Sequence, residues 1–357
     1  MFQGIYQNRR ILVTGHTGFK GSWLCAWLNR LGAEVGGLAL SPDQTPDHFS
    51  LLKTPMHNEI CDVRNAEKVK RILKDFQPEI VFHLAAQPLV RTSYREPRET
   101  FETNVMGTVN LLEACRFIPS VRAIVVVTTD KCYANPENGK PFTEDDPLGG
   151  YDPYSASKGA AEIAVASYRS AFFSSADSPA VATARAGNVI GGGDWALDRL
   201  IPDLIRAAAA NASASIRSPN AIRPWQHVLE ALSGYLTLGA ALLSRGQTFA
   251  AAWNFGPLEA EAFTVGDIIE IAKSEWNKIS CRADENTDQV HEAARLLLNC
   301  RKAQNLLHWR PVWKTERAVR QTVRWYRDFY ENGNLITLSD LESYCSDARK
   351  AGLEWAS

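Results

Sequence analysis

Arg10-Ile11-Leu12-Val13-Thr14 runs straight into Gly15-His16-Thr17-Gly18-Phe19-Lys20-Gly21. The first five residues form an apolar run suited to a buried strand. From Phe19 onward, Phe19, Trp23, Leu24, Trp27, Leu28 and Leu31 fall on one helical stripe, and Gly32 is placed to end it. Glycines 15, 18 and 21 thus occupy a strand-to-helix turn. Glycine lets such a backbone turn sharply and approach a pyrophosphate at the positive end of the helix. With 23 Gly among 357 residues, this spacing is expected by chance only about 0.1 times, before the strand and helix are required. The stretch predicts a dinucleotide site in which Gly15, Thr17, Gly18, Phe19 and Lys20 contact the cofactor.

Outward from this turn the pattern repeats. Glu34–Leu40 reads as a second strand, Asp62-Val63 closes a weak third, and Ile80–Leu84 and Ala123–Thr129 are continuous apolar runs. Helical patterns cover 67–76, the stretch from Pro97 to about Arg116, and Asp152–Ser174. Continuous apolar strands alternating with helices predict an α/β protein with a Rossmann-type, doubly wound parallel sheet. Its ligand crevice lies at the carboxyl ends of the strands. After about Asn188 the pattern changes. Residues 217–225 look irregular, 229–243 and 316–330 helical, and 253–255 a short strand. We expect a smaller, interleaved C-terminal α/β lobe for the substrate. Residues 1–188 with about 228–256 form the dinucleotide domain, and 189–227 with 257–357 form the lobe.

Composition is that of a globular chain with a net charge of −1. No basic field points to nucleic acid or a membrane surface, and no segment has the length of an apolar span. The seven scattered cysteines never show Cys-x-x-Cys spacing, which predicts a reducing, cytoplasmic setting. No metal site is read.

Tyr154-Ser155-Ala156-Ser157-Lys158 places a phenol and an amine four residues apart, on one helix face. A cation beside a phenol lowers its pKa and makes it a base toward an alcohol. Alone the pair is weak, since chance supplies about 0.4 such pairs in this composition. It gains weight from the glycine turn and from Thr128-Thr129-Asp130-Lys131, which follows the 123–129 strand and should enter the crevice. There a Thr can relay a proton, an Asp held protonated can act as an acid, and a Lys of lowered pKa can act as a base. One expected group is missing. The end of the second strand, Gly37-Leu38-Ala39-Leu40-Ser41, has no acid for a ribose and no Arg for a 2′-phosphate, so NAD and NADP are not separated locally. Asp62 is either a contact for the adenine edge or the N-cap of the 67–76 helix. Arg185, Asn188, Arg199, Arg217, Arg223 and His227 stand where the lobe begins, and guanidinium groups match diphosphate oxygens.

These stretches, with His83-Leu84-Ala85-Ala86-Gln87-Pro88, Thr103–Thr108, Ala186–Trp195 and Arg223–Val228, resemble the extended short-chain dehydrogenase/reductase family over nearly the whole chain. Within it the chain is most similar to the nucleotide-sugar 4,6-dehydratases, and its His-Thr-Gly-Phe-Lys-Gly loop to their CDP-glucose branch. The resemblance implies bound NAD, a CDP-sugar substrate and a homodimer paired through the helices near 97–116 and 152–174. It implies catalytic roles for Thr129, Asp130, Lys131, Tyr154 and Lys158, with Tyr154 and Lys158 also touching the cofactor. Val63, Leu84, Ala85, Ala86, Asn104 and Thr128 join Asp62 and the glycine turn in cofactor binding. Gln87, Asn188, Arg199, Leu200, Arg217, Arg223, His227 and His291 contact the substrate. Lys131 departs from the commoner Glu of the dehydratases but matches the CDP-glucose branch. The rival readings are a dTDP-glucose or GDP-mannose dehydratase, a sugar 4-epimerase, against which Asp130-Lys131 argues, and a non-catalytic dinucleotide sensor.

Overall fold

The computed structural model describes residues 1–257, 263–283 and 296–357. The strands in chain order are β1 (Arg10–Thr14), β2 (Glu34–Ala39), β3 (His57–Ile60), β4 (Ile80–His83), β5 (Ala123–Val127) and β6 (Ala180–Ala186). Then come β7 (Val189–Ile190), β8 (Ser213–Ile216), β9 (Ile222–Arg223), β10 (Gln226–His227), β11 (Ala252–Phe255), β12 (Phe263–Thr264) and β13 (Ser280–Ala283). Seven of them form one sheet, ordered β11-β6-β5-β4-β1-β2-β3, with every neighbouring pair parallel. The order reverses beside β1, between β1 and β4. This is the switch point where a doubly wound sheet opens its crevice.

The helices up to residue 245 are, in chain order, α1 (Phe19–Arg30), α2 (His48–Leu52), α3 (Ala66–Phe76), α4 (Val90–Arg95), α5 (Pro97–Phe101), α6 (Gly107–Cys115), α7 (Pro153–Ala171), α8 (Leu200–Ala209) and α9 (Val228–Arg245). The apolar runs explain the layers. Residues 123–127 are buried throughout, and so are 80–83. Such strands need cover on both faces. On one face lie α3 (Ala66–Phe76), α6 (Gly107–Cys115) and α7 (Pro153–Ala171), with Val69, Leu73, Leu111 and Val165 packed on Val81, Ile124 and Val181. On the other lie α1 (Phe19–Arg30) and α9 (Val228–Arg245), whose Trp23, Trp27, Leu232 and Leu236 join Val13, Phe82 and Val125. The helix expected from Pro97 onward is present, but in parts. Pro97–Phe101 and α6 are joined by a π turn, Glu102–Met106. The third strand ends at Ile60, two residues before Asp62, and the strand ending at Thr129 closes at Val127. Propensity alone carries no signal for such ends, because caps and tertiary hydrogen bonds set them.

Among the described residues there are also three two-stranded sheets, β10-β7, β12-β9 and β13-β8, and residues of β7, β8 and β9 line the cavity at the carboxyl edge of the main sheet. The stretch read as irregular, 217–225, contains β9. The helix Thr315–Asn332 buries Trp325 and Tyr326 against this region, and the Tyr326 hydroxyl accepts from Asp194 N at 2.8 Å. Among the described residues no helix is long and apolar enough to cross a membrane. All seven cysteines are free thiols.

Candidate active site

The turn after β1 is built by close backbone approach. Gly15 has φ +73°, and a Cβ there would lie 2.8 Å from Ala85 N. A Cβ on Gly21 would lie 2.1 Å from Gly15 O. Neither position admits a side chain, so β1, the loop after β4 and the start of α1 close on one another. Thr14 Oγ1 meets His83 Nδ1 at 2.7 Å and accepts from Ala85 N at 3.1 Å, which pins the two strand ends at the switch point. Thr17 Oγ1 donates to Leu40 O at 2.9 Å and ties the turn to the end of β2. Gly18 is the N-cap of α1, and the cavity wall runs along it.

A cavity of about 850 Å³ opens from this turn along the carboxyl edge of the sheet. It collects most of the residues singled out in the sequence. Gly15, Thr17, Gly18, Phe19, Lys20, Asp62, Val63, Leu84, Ala85, Ala86 and Thr128 line it, and so do Gln87, Asn188, Arg199, Leu200, Arg217 and Arg223. Thr129, Asp130, Lys131, Tyr154 and Lys158 line it as well.

Three expected contacts are placed otherwise. His227 is fully buried as the N-cap of α9, where Nδ1 accepts from Leu229 N and the ring packs on Trp23 and Trp313. It does not line the cavity, because the Arg-Pro-Trp-Gln-His run turns inward after Trp225. Asn104 is also buried off the cavity. It accepts from Gln87 N (2.8 Å) and donates to Gln87 O (3.1 Å) and Ser157 Oγ (2.8 Å), so it braces the loop after β4 against α7. The Gln87 side chain is spent on its own loop, through Leu89 and Thr100. His291 lies outside the described residues.

Asp62 proves to be neither helix cap nor unpaired acid. Asn65 caps the helix, accepting from Lys68 N, while Asp62 takes the Arg64 backbone N–H (2.8 Å) and guanidinium (2.6 Å). The hydrogen bond from Arg64 holds the Asp62 carboxyl below its ordinary pKa. The acid missing from the end of β2 has a counterpart further on, since Asp43 lines the same wall.

The chemistry-bearing groups cluster beside α7. Asp152 caps this helix by accepting from Ser155 N, and Pro153 starts it, which sets Tyr154 in the first turn and Lys158 one turn on. Burial pushes the Tyr154 phenol up to about 12, and the hydrogen bond with Thr129 works against that. Lys158 is not among the largest influences on this phenol. The Lys158 ammonium turns under the helix and donates to Val127 O at 3.2 Å, and its own burial brings it down to about 8. Thr129 Oγ1 donates to Asp130 Oδ1 at 2.9 Å. Asp130 is 2% exposed and its Oδ2 has no hydrogen-bond partner. Burial raises its pKa, so this carboxyl favours the protonated form more than an exposed Asp does.

Gly187 makes room for that acid. A Cβ there would lie 2.0 Å from Asp130 Oδ2. Gly187→Ala is therefore expected to cost about 1–3 kcal/mol by overpacking. A lowered unfolding midpoint with unchanged denaturant slope checks this.

Several partners of the lining residues escaped the sequence reading. Lys20 donates to the Tyr235 hydroxyl at 3.4 Å, and burial with the charges of Arg199 and Lys158 brings it down to about 7. Tyr235 belongs to α9, far along the chain, and no local motif marks it. Arg199 pairs with Asp194 at 2.8 Å, and Asp198 stands 3.7 Å from Arg91 and 3.9 Å from Arg217. Asp203 is taken by Arg206. Four arginines, 91, 199, 217 and 223, line this end of the cavity, where Asp194, Asp198 and Asp203 also stand. Arg185 is not among them, being sequestered beneath the floor. Among the described residues no group of three or more His, Cys, Asp or Glu could hold a metal ion.

A glycine cradle for a pyrophosphate, a phenol–lysine helix and a buried acid share one crevice, and the model of the family described as GDP-mannose 4,6 dehydratase matches residues 12–322. The chain belongs to this family. It is 44% identical over 95% of its length to the CDP-glucose 4,6-dehydratase of Salmonella typhimurium, 96% of which is covered. It is 27% identical to the dTDP-glucose 4,6-dehydratase of Haemophilus influenzae, over 88% of this chain and 97% of that one. The solved UDP-glucose 4-epimerase of Thermus thermophilus, in complex with NAD, superimposes with a TM-score of 0.77 at 25% identity, over 89% of this chain and 99% of that one. The chain is thus similar both to dehydratases and to an epimerase, and the side chains in the crevice must separate the two reactions.

Proposed function

We propose that the chain is a CDP-glucose 4,6-dehydratase, a hydro-lyase that converts CDP-D-glucose to CDP-4-keto-6-deoxy-D-glucose and water. The observation that carries this reading is Asp130, buried with one oxygen unpartnered, next to Lys131 and in the same cavity as Tyr154. An epimerase needs only to oxidise and re-reduce one carbon. A dehydratase must also remove a proton from C5 and give one to the departing C6 oxygen, which requires two further groups. The relative at 44% identity supports the CDP-glucose assignment.

NAD is the cofactor the residues fit. The glycines at 15 and 21 let β1, the loop after β4 and the start of α1 close on one another, and the N-terminus of α1 with Gly18 as its cap borders the cavity there, a place suited to a pyrophosphate. Gly15, Thr17, Gly18, Phe19 and Lys20 would hold the pyrophosphate, Asp62 and Val63 the adenosine, and Leu84, Ala85, Ala86 and Thr128 the nicotinamide half. Bound there, NAD would supply the hydride chemistry of the cycle, from C4 of the sugar and back to C6.

The side chains do the rest. Tyr154 takes the proton of the 4-hydroxyl, assisted by Thr129. Lys158 supplies a positive charge to the phenolate from one helical turn away. The 4-ketone makes the C5 hydrogen acidic. Lys131 removes it, and Asp130 donates its proton to the 6-hydroxyl as water leaves. The Lys131 ammonium then returns a proton to C5 as the hydride reaches C6, and the proton held by Tyr154 passes by way of Thr129 to restore Asp130. The diphosphate lies against Arg199, Arg217 and Arg223, whose guanidinium forks match its oxygens, with Asn188 and Leu200 beside it. In this division residues 189–227 and the part from 257 onward hold the CDP-sugar, while 1–188 with about 228–256 hold NAD.

Incubation with CDP-glucose, dTDP-glucose, UDP-glucose and GDP-mannose tests the assignment. Only CDP-glucose is expected to yield the alkaline absorbance of a 4-keto-6-deoxy sugar at an appreciable rate. Preference for another nucleotide sugar would overturn the base assignment, and interconversion of 4-epimers without loss of water would overturn the reaction.

The pairing helices fit a homodimer. Phe101 (39% exposed), Met106 (50%) and Ile163 (60%) leave apolar side chains outward on the 97–115 helix and α7. Sedimentation at micromolar concentration is expected to give a dimer or a multiple of it. A Met106→Lys/Ile163→Lys variant is expected to sediment as a monomer.

A further inference from the structure

One buried carboxylate outside the cavity touches three of the segments that build the site. Glu162 lies on α7, one turn beyond Lys158 and two beyond Tyr154, and is 3% exposed. Its carboxylate accepts from Thr128 Oγ1 at the end of β5, from Thr183 Oγ1 on β6 (2.7 Å), and from Arg185 Nε (3.0 Å) and Nη2 (2.9 Å) on β6. Arg185 in turn donates to the Tyr133 hydroxyl at 2.8 Å and to Glu144 O at 3.1 Å. Tyr133 stands two residues after Lys131 and donates to Asn254 Oδ1 on β11 at 2.7 Å. The segment 128–133 is therefore held at both ends by one network. Thr129, Asp130 and Lys131 lie between these anchors. β6 also carries the chain into Gly187, whose Cα abuts Asp130.

We propose that Glu162, through its ion pair with Arg185, is the positioning residue of the catalytic apparatus, setting Thr129–Lys131 against Tyr154. The proposal rests on the dehydratase reading above. Two physical arguments carry it. A buried ion pair is a weak source of net stability, because desolvation of both charges offsets their attraction. This one is satisfied by four donors to a single carboxylate, from groups on two strands and aimed at one helix, which is a geometry suited to fixing relative placement. The second argument concerns charge. Burial lowers Lys158 to about 8, and Glu162 is the largest influence that raises it. The other groups facing Lys158 are Cys132 on the loop after β5, His83 on β4 and Lys20 at the start of α1. His83 is itself brought down to about 3 by burial and stays neutral, and Lys20 repels the ammonium. Glu162 thus keeps Lys158 protonated near neutral pH.

The test compares two variants with the wild type, using the full chain, NAD and CDP-glucose. Wild-type turnover checks the dehydratase reading by itself. Glu162→Gln/Arg185→Gln removes both charges and leaves neither orphaned in the interior. We expect cooperative melting, KM for CDP-glucose within about twofold, and kcat lower by about tenfold or more, since placement of a reacting group matters at the ångström scale. The alkaline limb of the kcat profile is expected to move to lower pH, because Lys158 without Glu162 loses its proton sooner. Glu162→Asp keeps the charge but is one methylene short. It should hold the alkaline limb near its wild-type position while kcat falls several-fold. A double variant with wild-type kcat, or one whose alkaline limb does not move, overturns the proposal. If the double variant does not fold, Glu162→Asp decides alone: a kcat equal to wild type overturns the positioning role, and reduced kcat at unchanged KM with the alkaline limb in place supports it.

Discussion

Tyr154→Phe is expected to lower turnover of CDP-glucose by at least roughly a hundredfold, the lower end of a general-base contribution. The substitution removes one oxygen and keeps the ring, which is 9% exposed in the wall of the crevice. Packing is preserved, so melting should be unchanged and substrate affinity nearly so. The loss should fall on formation of the 4-ketone, and no reduced cofactor should accumulate. Burial places the phenol at about 12 in the structure, so the bare side chain is almost wholly protonated at neutral pH. Its activity as a base requires the positive charge of Lys158 and of the bound nicotinamide to bring it down. The rate should therefore rise with pH on the acid side and fall again as Lys158, near 8, loses its proton. Wild-type turnover by the Phe variant would remove Tyr154 from the mechanism.

The second large effect separates the two halves of the reaction. Lys131→Met is expected to reduce product formation by at least roughly a hundredfold, the scale of a lost acid–base group. It should also abolish exchange of the C5 hydrogen with solvent deuterium, followed by NMR. Asp130→Asn should stop the loss of water to a similar degree while C5 exchange continues, because the amide cannot give a proton to the leaving oxygen. Both variants should still oxidise C4, seen as transient absorbance of the reduced nicotinamide. Lys131→Met that fails at oxidation would assign the lysine to the first half-reaction instead. Asp130 has a further signature in pH. Its folded-state pKa is raised by burial, so the protonated acid persists above the range of an exposed Asp and is lost as pH rises through that raised value.

Much of this site was legible because the chemistry is local in sequence. The glycine turn, the Thr128–Lys131 run and the Tyr154–Lys158 spacing each lie within one turn or loop, and continuous apolar strands fix the sheet that brings their ends together. What the sequence hid depends on distance along the chain. His227 reads as a ligand beside Arg223, yet one residue beyond Trp225 the backbone turns inward and the ring is buried among tryptophans. Arg185 reads as a phosphate contact, but Glu162, twenty-three residues earlier, claims it. Gln87 carries polar atoms that would suit a sugar, and its own loop consumes them. Tyr235 meets Lys20 across 215 residues, and nothing near either signals the other. Patterns of period and spacing say which residues are available; they do not say which polar groups the fold has already paired.

The π turn at 102–106 sets the phase of the helix that contains it. Just before its end, Asn104 faces the loop after β4 and the start of α7; just past it, Thr108 faces the His83 ring at 3.1 Å. In a regular helix successive residues step by about 100°, so one residue more or less turns everything beyond it by that angle. The widened turn supplies the single extra step that lets both side chains reach their partners. Deleting one residue there would relax the segment to a regular helix and break one of the two contacts: either the loop carrying Gln87 loses its brace, or the strand end at the switch point loses its partner. The length of this helix is thus fixed by the same contacts that fix its inward-facing residues.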